Sequence, residues 1–270
     1  MPNLRVSLLQ TALHWEDKTA NLEMLQKKIN SIQDKTEVIV LPEMFSTGFS
    51  MNKEVLAESM GGQTVNWMRK IAASRGAVLT GSFIVKEGSV DVSLFHNRLV
   101  WMLPSGDFGF YDKRHLFAFG KEDQHYSPGK KRFIATVNGW RINLQICYDL
   151  RFPVWIRQTR REIQPSQPEY DVLIVVANWP AARSHAWKIL LQARAIENQC
   201  YVVGVNRTGS DGYGLIYDGG SMVLGPLGET IQLLGSEEEI FTHTLDREHL
   251  EEIRSKFPFW QDADGFHIQP

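Results

Sequence analysis

The segment DVLIVVA, Asp171 to Ala177, limits the possible folds more than any other stretch of this chain. Every residue after its aspartate is apolar, and a strand without polar alternation is one covered on both faces, inside a parallel or mixed sheet flanked by helices. HAWKILLQARAIENQ then reads as a helix and CYVVGVN as the next strand. The same unit stands at the start of the chain. Leu4 to Gln10 (LRVSLLQ) reads as a buried strand, and Leu22, Leu25, Ile29 and Ile32 recur at helical spacing before the β-branched run EVIVL. A further helix near Thr64 to Ser74 closes at Gly76 and leads into the strand AVLTGSFIV. Between these units lie antiparallel ladders: LFHNRLVWML pairs with FGFYDK across Pro104 to Asp107, and RFIATV pairs with WRINLQIC across Asn138-Gly139. GGSMVLGPLGETIQLL reads as strand, turn and strand, and DREHLEEIRSKF as a charged helix. Mixed sheets faced by helices follow, an α/β layered architecture. QPSQPEYD (164–171) is the expected surface loop.

With 270 residues, 43% of them hydrophobic, the chain can bury its own core as one large domain. Its 29 Lys and Arg against 31 Asp and Glu give a formal charge of -2, with no net pull toward nucleic acid or anionic lipid. A small-molecule partner is favoured over either. The N-terminal MPNLRVSLLQTALHWEDK has no basic start, long apolar core or small-residue cleavage site, and no later apolar run approaches a membrane span, so a cytoplasmic location is expected. The only two cysteines, Cys147 and Cys200, belong to no C-x-x-C pair or zinc pattern, and no metal or cofactor is expected.

Cys147 lies where the alternating strand WRINLQIC breaks into polar residues, a geometry that lifts a side chain out of a sheet edge. A free cysteine is more often inert packing, and Cys200, within QCYVVGV, fits that description better. A thiol that attacks an amide needs a base, which later protonates the leaving amine, and a positive group for the oxyanion. His115 is the nearest candidate among the histidines, while Glu43 in VIVLPEMF and Lys113 in YDKRHLF offer a carboxylate and an ammonium at strand ends. Each also has an ordinary reading, the glutamate as a turn cap and the lysine as a solvated charge.

LPEMF around Glu43, YDKRHLF around Lys113 and CYDLRFP around Cys147 resemble, in this order, the three motifs of the nitrilase superfamily of carbon-nitrogen hydrolases. With ANWP at 177–180 and ARAIENQ at 193–199 the wording is most similar to the omega-amidase branch. The resemblance implies a four-layer α-β-β-α sandwich with two mixed β-sheets over residues 4–245, followed by a C-terminal helix and tail (246–270) packed on the domain or on a partner subunit. It implies Cys147 as nucleophile, Glu43 as base, and Lys113 with the backbone N–H of Tyr148 at the oxyanion. It also implies a second glutamate beside the lysine, for which Glu122, six residues before Pro128, is the match; without the resemblance, Lys121-Glu122-Asp123 reads as a solvated loop.

The branch implies a homodimer that hydrolyses the terminal amide of a dicarboxylic acid monoamide such as 2-oxoglutaramate or 2-oxosuccinamate. One end of the pocket must then hold a carboxylate. Arg151 can do so by bidentate pairing, or can instead form a structural ion pair. Phe45, Asn178 and Trp179 are candidates for the pocket wall, and Arg183, His185 and Trp187 are undecided between pocket and packing. The rivals are another substrate on the same chemistry (a nitrile, a carbamoyl group or another amide) and a non-catalytic binding protein on the same fold. A zinc hydrolase is disfavoured by the lack of H-E-x-x-H.

Overall fold

A computed structural model describes residues 2–88, 93–158, 167–266 and 268. The first sheet begins with β1 (Leu4–Gln10), β2 (Val38–Val40), β3 (Val78–Gly88), β4 (Ser93–Met102) and β5 (Phe108–Asp112). The second is made by β6 (Ile134–Val137), β7 (Trp140–Ile146), β8 (Val172–Ala177) and β9 (Tyr201–Asn206). After a separate hairpin of β10 (Thr208–Ser210) and β11 (Ile216–Asp218) it gains β12 (Met222–Leu224) and β13 (Thr230–Leu233). The chain then returns to the first sheet as β14 (Glu239–Leu245), antiparallel to β1. The spatial orders are β14-β1-β2-β3-β4-β5 and β13-β12-β9-β8-β7-β6. In both, three central strands run parallel (β1-β2-β3 and β7-β8-β9) and the remaining neighbours pair antiparallel. Both six-stranded sheets are therefore mixed, with the same pattern of pairings read from β14 and from β6.

The helices are α1 (Lys18–Asn30), α2 (Lys53–Leu56), α3 (Gln63–Arg75), α4 (Glu122–His125), α5 (Pro153–Ile156), α6 (Ser184–Asn198) and α7 (Arg247–Lys256). Asp17 caps α1 by accepting the Ala20 N–H at 3.0 Å, and Gly76 closes α3 in the left-handed conformation, φ 58°, which glycine adopts without strain. Leu22, Leu25 and Ile29 of α1 and Val65, Met68 and Ile71 of α3 pack on Ile39, Leu79 and Val100 of the first sheet. Val38 and Val40, on the opposite side of β2 from Ile39, join Leu144, Ile146 and Ile174 in the core between the sheets, as a two-residue period requires. Trp187, Leu191 and Ala195 of α6 cover the other sheet. The result is an α-β-β-α sandwich. Among the described residues no helix is long and apolar enough to cross a membrane.

The stretch 164–171 departs from expectation. Residues 164–166 lie outside the described residues, and beyond exposed Gln167 the chain turns inward instead of forming a surface loop. Tyr170 is buried with its hydroxyl donating to the Ile156 carbonyl at 2.6 Å, and buried Asp171 meets Arg141 and Arg254 at 2.7 Å and Arg247 at 3.3 Å. Two of these arginines belong to α7, which buries Leu250 and Ile253 as well. Burial disfavours the Asp171 carboxylate, but the hydrogen bonds of Arg141 and the charges of Arg254, Arg141 and Arg247 outweigh it and hold its pKa at about 2. Because that value lies below the ordinary 3.8, the stabilisation is complete above pH 4 and fades as pH falls toward 2. Asp171→Asn should cost about 3–5 kcal/mol in urea unfolding at neutral pH, since three guanidinium groups lose their shared partner. The gap from wild type should narrow on acidification. A gap independent of pH would show that the carboxylate charge is not what matters.

Candidate active site

The candidate side chains gather where β2 and the edge strand β5 of one sheet and β7 of the other come to an end. β2 stops at Val40, Leu41-Pro42 leave the sheet, and Glu43 enters a turn pinned to β3 by hydrogen bonds from Met44 N to Ser82 Oγ (2.9 Å) and from Phe45 N to Ser82 O (3.0 Å). Lys113 follows β5 directly, with its N–H on the Asn97 carbonyl of β4 (3.0 Å) and its own carbonyl accepting from Gly129 N (2.8 Å). Gly129 is needed there, because a Cβ would stand 2.1 Å from the Asp112 carbonyl oxygen. Cys147 follows β7 and opens a 3-10 helix, Cys147–Arg151, at φ 45°. A positive φ is costly for a residue with a Cβ and marks an enforced elbow. The N–H of Tyr148 lies in the first turn of that helix, where backbone donors have no partner within the helix.

Glu43, Lys113 and Glu122 form a buried cluster. Lys113 Nζ donates to Glu43 Oε1 at 2.8 Å and to the two Glu122 oxygens at 3.0 and 2.9 Å. Asn97 Nδ2 bridges the carboxylates, 2.8 Å from Glu43 Oε1 and 3.2 Å from Glu122 Oε1. Asn178 holds the other side of Glu43, its N–H on Oε2 at 2.8 Å and its side-chain amide on the Glu43 carbonyl at 2.7 Å. The Cys147 thiol stands near enough to feel the charges of Glu43, Lys113 and Glu122. Glu122 is not the solvated loop residue its charged neighbours suggest: it is fully buried at the start of α4 and also accepts from Phe117 N at 2.6 Å.

Burial alone would discharge Lys113, but Glu122 and Glu43 overcome it and raise its pKa, so the ammonium is permanent. Glu122 is raised by burial and by Glu43 against the pull of Lys113. Burial, with Glu43 adding to it, pushes the Cys147 thiol well up despite Lys113. The resting cysteine is therefore a protonated thiol, and its proton must leave as the sulfur attacks. The cluster supplies a carboxylate that can take that proton and a fixed cation for negative charge on oxygen. Among the described residues no group of His, Cys, Asp and Glu is arranged to hold a metal ion.

A cavity of about 260 Å³ opens over Cys147 and Lys113. Phe49, Met51, Phe117, Trp179 and Leu215 give it apolar walls, and Tyr148, Arg151 and Asn178 also line it. Phe45 does not. Its side chain is fully buried in the outer core, with ring centroids 5.9 Å from Trp67 and 6.1 Å from Phe83, because the turn after Glu43 points it back toward α3. His115 does not line the cavity either. Its Nδ1 sits 2.8 Å from Asp149 Oδ1 and its ring stacks on Phe152 at 3.7 Å. Arg183 lines the cavity, whereas Trp187 is core and His185 is exposed.

Asp149 has no counterpart in the sequence reading. Fully buried, it accepts Ile146 N (3.1 Å) and the Tyr111 hydroxyl (2.9 Å) on one oxygen, and His115 N (2.9 Å) on the other. It thereby ties the cysteine elbow to the segment after Lys113. Asn97, midway along a strand in FHNRL, was equally silent; its only signal is a polar residue among buried positions of β4.

A two-sheet sandwich carrying a Glu-Lys-Cys cluster at its strand ends defines a carbon-nitrogen hydrolase, and the chain belongs to that family, whose model matches residues 5–255. It is 44% identical over 270 residues to Omega-amidase YafV of Escherichia coli (strain K12), which covers 99% of this chain and 100% of that protein. It is 30% identical to 2-oxoglutaramate amidase of Bacillus subtilis (strain 168), over 95% of this chain and 96% of the other. The crystal structure of XC1258 from Xanthomonas campestris, a CN-hydrolase superfamily protein with an arsenic adduct in its active site, matches at a TM-score of 0.94 and 42% identity over 100% of both chains.

Proposed function

We propose that this amidohydrolase is an omega-amidase, which cleaves the terminal amide of a dicarboxylic acid monoamide such as 2-oxoglutaramate or 2-oxosuccinamate to the acid and ammonia. The observation that carries the reading is the pairing, in one cavity, of a thiol backed by the Glu43-Lys113-Glu122 cluster with the guanidinium of Arg151. That guanidinium lies 4.9 Å from the centroid of the Trp179 ring and makes no ion pair among the described residues, so it is available to a substrate carboxylate. Full-length relatives named for omega-amidase and 2-oxoglutaramate amidase activity support the same substrate class.

In this reading Glu43 takes the Cys147 proton as sulfur adds to the amide carbon, and the oxyanion forms against Lys113 and the Tyr148 N–H. The carbon-nitrogen bond then breaks, and Glu43 returns the proton to departing ammonia. Water attacks the thioester, again giving its proton to Glu43, and collapse releases the carboxylic acid and restores the thiol. Glu122 and Asn97 position Lys113 and Glu43. Trp179 and Asn178 complete the wall, and no cofactor takes part.

Ammonia release from 2-oxoglutaramate, 2-oxosuccinamate, glutamine, asparagine, simple aliphatic amides and nitriles tests the assignment. The two 2-oxo acid amides should give the highest kcat/KM, and preference for a nitrile or an unsubstituted aliphatic amide refutes it. We also infer a homodimer in the cytoplasm. Exposed Ile189 and Ile196, one face of α6, and Leu227 offer it an apolar contact, and both cysteines are free thiols. Sedimentation as a monomer at working concentration, or recovery of the protein outside the cytoplasmic fraction, counts against the respective half of this inference.

A further inference from the structure

The cavity holds a second unpaired cation. Arg183, at the end of the 3-10 helix Ala181–Arg183, lines the same wall as Arg151, with its guanidinium 5.2 Å from the centroid of the Phe117 ring. Like Arg151 it forms no ion pair among the described residues. Trp179 joins the two: its ring lies under Arg151, and its indole N–H donates to the Arg183 carbonyl at 2.8 Å. Other arginines facing the interior have partners for their donors: buried Arg207 has no carboxylate but donates to the carbonyls of Leu13, Thr208 and Ser210. Arg98 pairs with Asp112 at 2.7 Å, and Arg141 and Arg254 share Asp171. Two guanidinium groups of the same charge, stacked on aromatic rings and left without a carboxylate, form a site whose balancing charge arrives with the ligand.

Among the described residues the one carboxylate on the cavity wall is Asp211, a single charge against two, and it is engaged by its own loop. Asp211 Oδ1 accepts the N–H groups of Tyr213 (2.9 Å) and Leu215 (3.0 Å), and Oδ2 accepts the Tyr217 hydroxyl (3.0 Å). These three bonds hold the carboxylate against the loop between β10 and β11. A substrate α-ammonium group would thus enter a pocket where two unpaired cations face a single carboxylate held by its own loop, whereas a carboxylate beside a carbonyl oxygen offers acceptors to both arginines.

We propose that Arg183 is a specificity-determining residue, which reads the substituent next to the substrate carboxylate and selects 2-oxo acid monoamides over the corresponding amino acids. The proposal rests on the omega-amidase reading, with Arg151 holding the carboxylate and Arg183 facing carbon 2. Three substrates differing only at that carbon test it: 2-oxoglutaramate, glutaramate and L-glutamine, assayed for kcat/KM with wild type, Arg183→Met and Arg183→Lys.

Arg183→Met should lower the preference for 2-oxoglutaramate over L-glutamine at least tenfold, mainly through a higher KM for the oxo substrate, with a smaller loss on glutaramate. Arg183→Lys, which keeps the charge, should retain most of the preference. An equal loss on all three substrates by Arg183→Met marks a general packing or carboxylate role and overturns the proposal, as does an unchanged preference. If Arg183→Met fails to fold, an unchanged preference in Arg183→Gln overturns it in the same way. These failures leave the omega-amidase reading standing. Wild type that releases no ammonia from 2-oxoglutaramate or glutaramate, yet does so from simple aliphatic amides, overturns both.

Discussion

Cys147→Ala should abolish ammonia release, a loss on the order of 10⁵–10⁶-fold, as for nucleophile removal in other covalent hydrolases. The site leaves no substitute. His115 is engaged by Asp149, and Cys200 is buried in the core beside β9, its thiol pushed by burial to about 12. The fold should survive, because Cys147 is only half buried and alanine removes one sulfur from the cavity wall; the stability change should stay within about 1 kcal/mol. Cys147→Ser sharpens the test. A hydroxyl is harder to deprotonate than the thiol, which burial and Glu43 already hold protonated, so serine should also be nearly inactive despite its similar shape. Mass spectrometry of wild type quenched during turnover should show an acylated Cys147. Undiminished ammonia release by Cys147→Ala, with the fold intact, would mean that another group attacks the amide.

What could be read in the sequence followed the strength of the local signal. The unbroken apolar run of β8 and the strand-turn-strand pattern around Asn138-Gly139 are dictated by nearest neighbours, and both stand as expected. β14 was invisible, since EIFTHTL carries polar residues on an edge strand and owes its conformation to β1, more than 200 residues earlier in the chain. The same division runs through the site. Glu43, Lys113 and Cys147 sit in motif wording at strand ends, and the fold brings them together. Asn97 and Asp149 act through partners distant in sequence, and nothing local marks them. Phe45 misled because proximity in sequence to Glu43 says nothing about direction: Met44, at φ 43°, reverses the chain and sends the next side chain into the core. For the stretch before Asp171, a proline-rich composition was outweighed by an aspartate that three arginines require to be buried.

Glu43→Gln should reduce kcat by about 10⁴-fold or more, because in the proposed mechanism the same group transfers protons in both halves of the reaction and general acid-base catalysis contributes up to about 10⁴. The hydrogen bonds make this substitution more disruptive than its shape suggests. Glu43 accepts on both sides: Oε1 from Lys113 and Asn97, each at 2.8 Å, and Oε2 from Asn178 N at 2.8 Å. A glutamine amide must turn its NH₂ toward either the two donors at Oε1 or the one at Oε2, so at least one contact becomes donor against donor in either orientation. An unsatisfied buried group of this kind costs about 1–3 kcal/mol. The protein should nonetheless fold, since Lys113 keeps Glu122 at 2.9 Å and the buried charges still balance as one pair. Glu122→Gln is the informative comparison. It leaves Lys113 bound to Glu43 and the base intact, so its loss should be milder, about 10²-fold, expressed through a less firmly held lysine. Equal losses in the two variants would mean that the carboxylates act as one electrostatic unit and that neither is a distinct base. A Glu43→Gln enzyme that keeps a tenth of wild-type kcat would exclude Glu43 as the proton carrier.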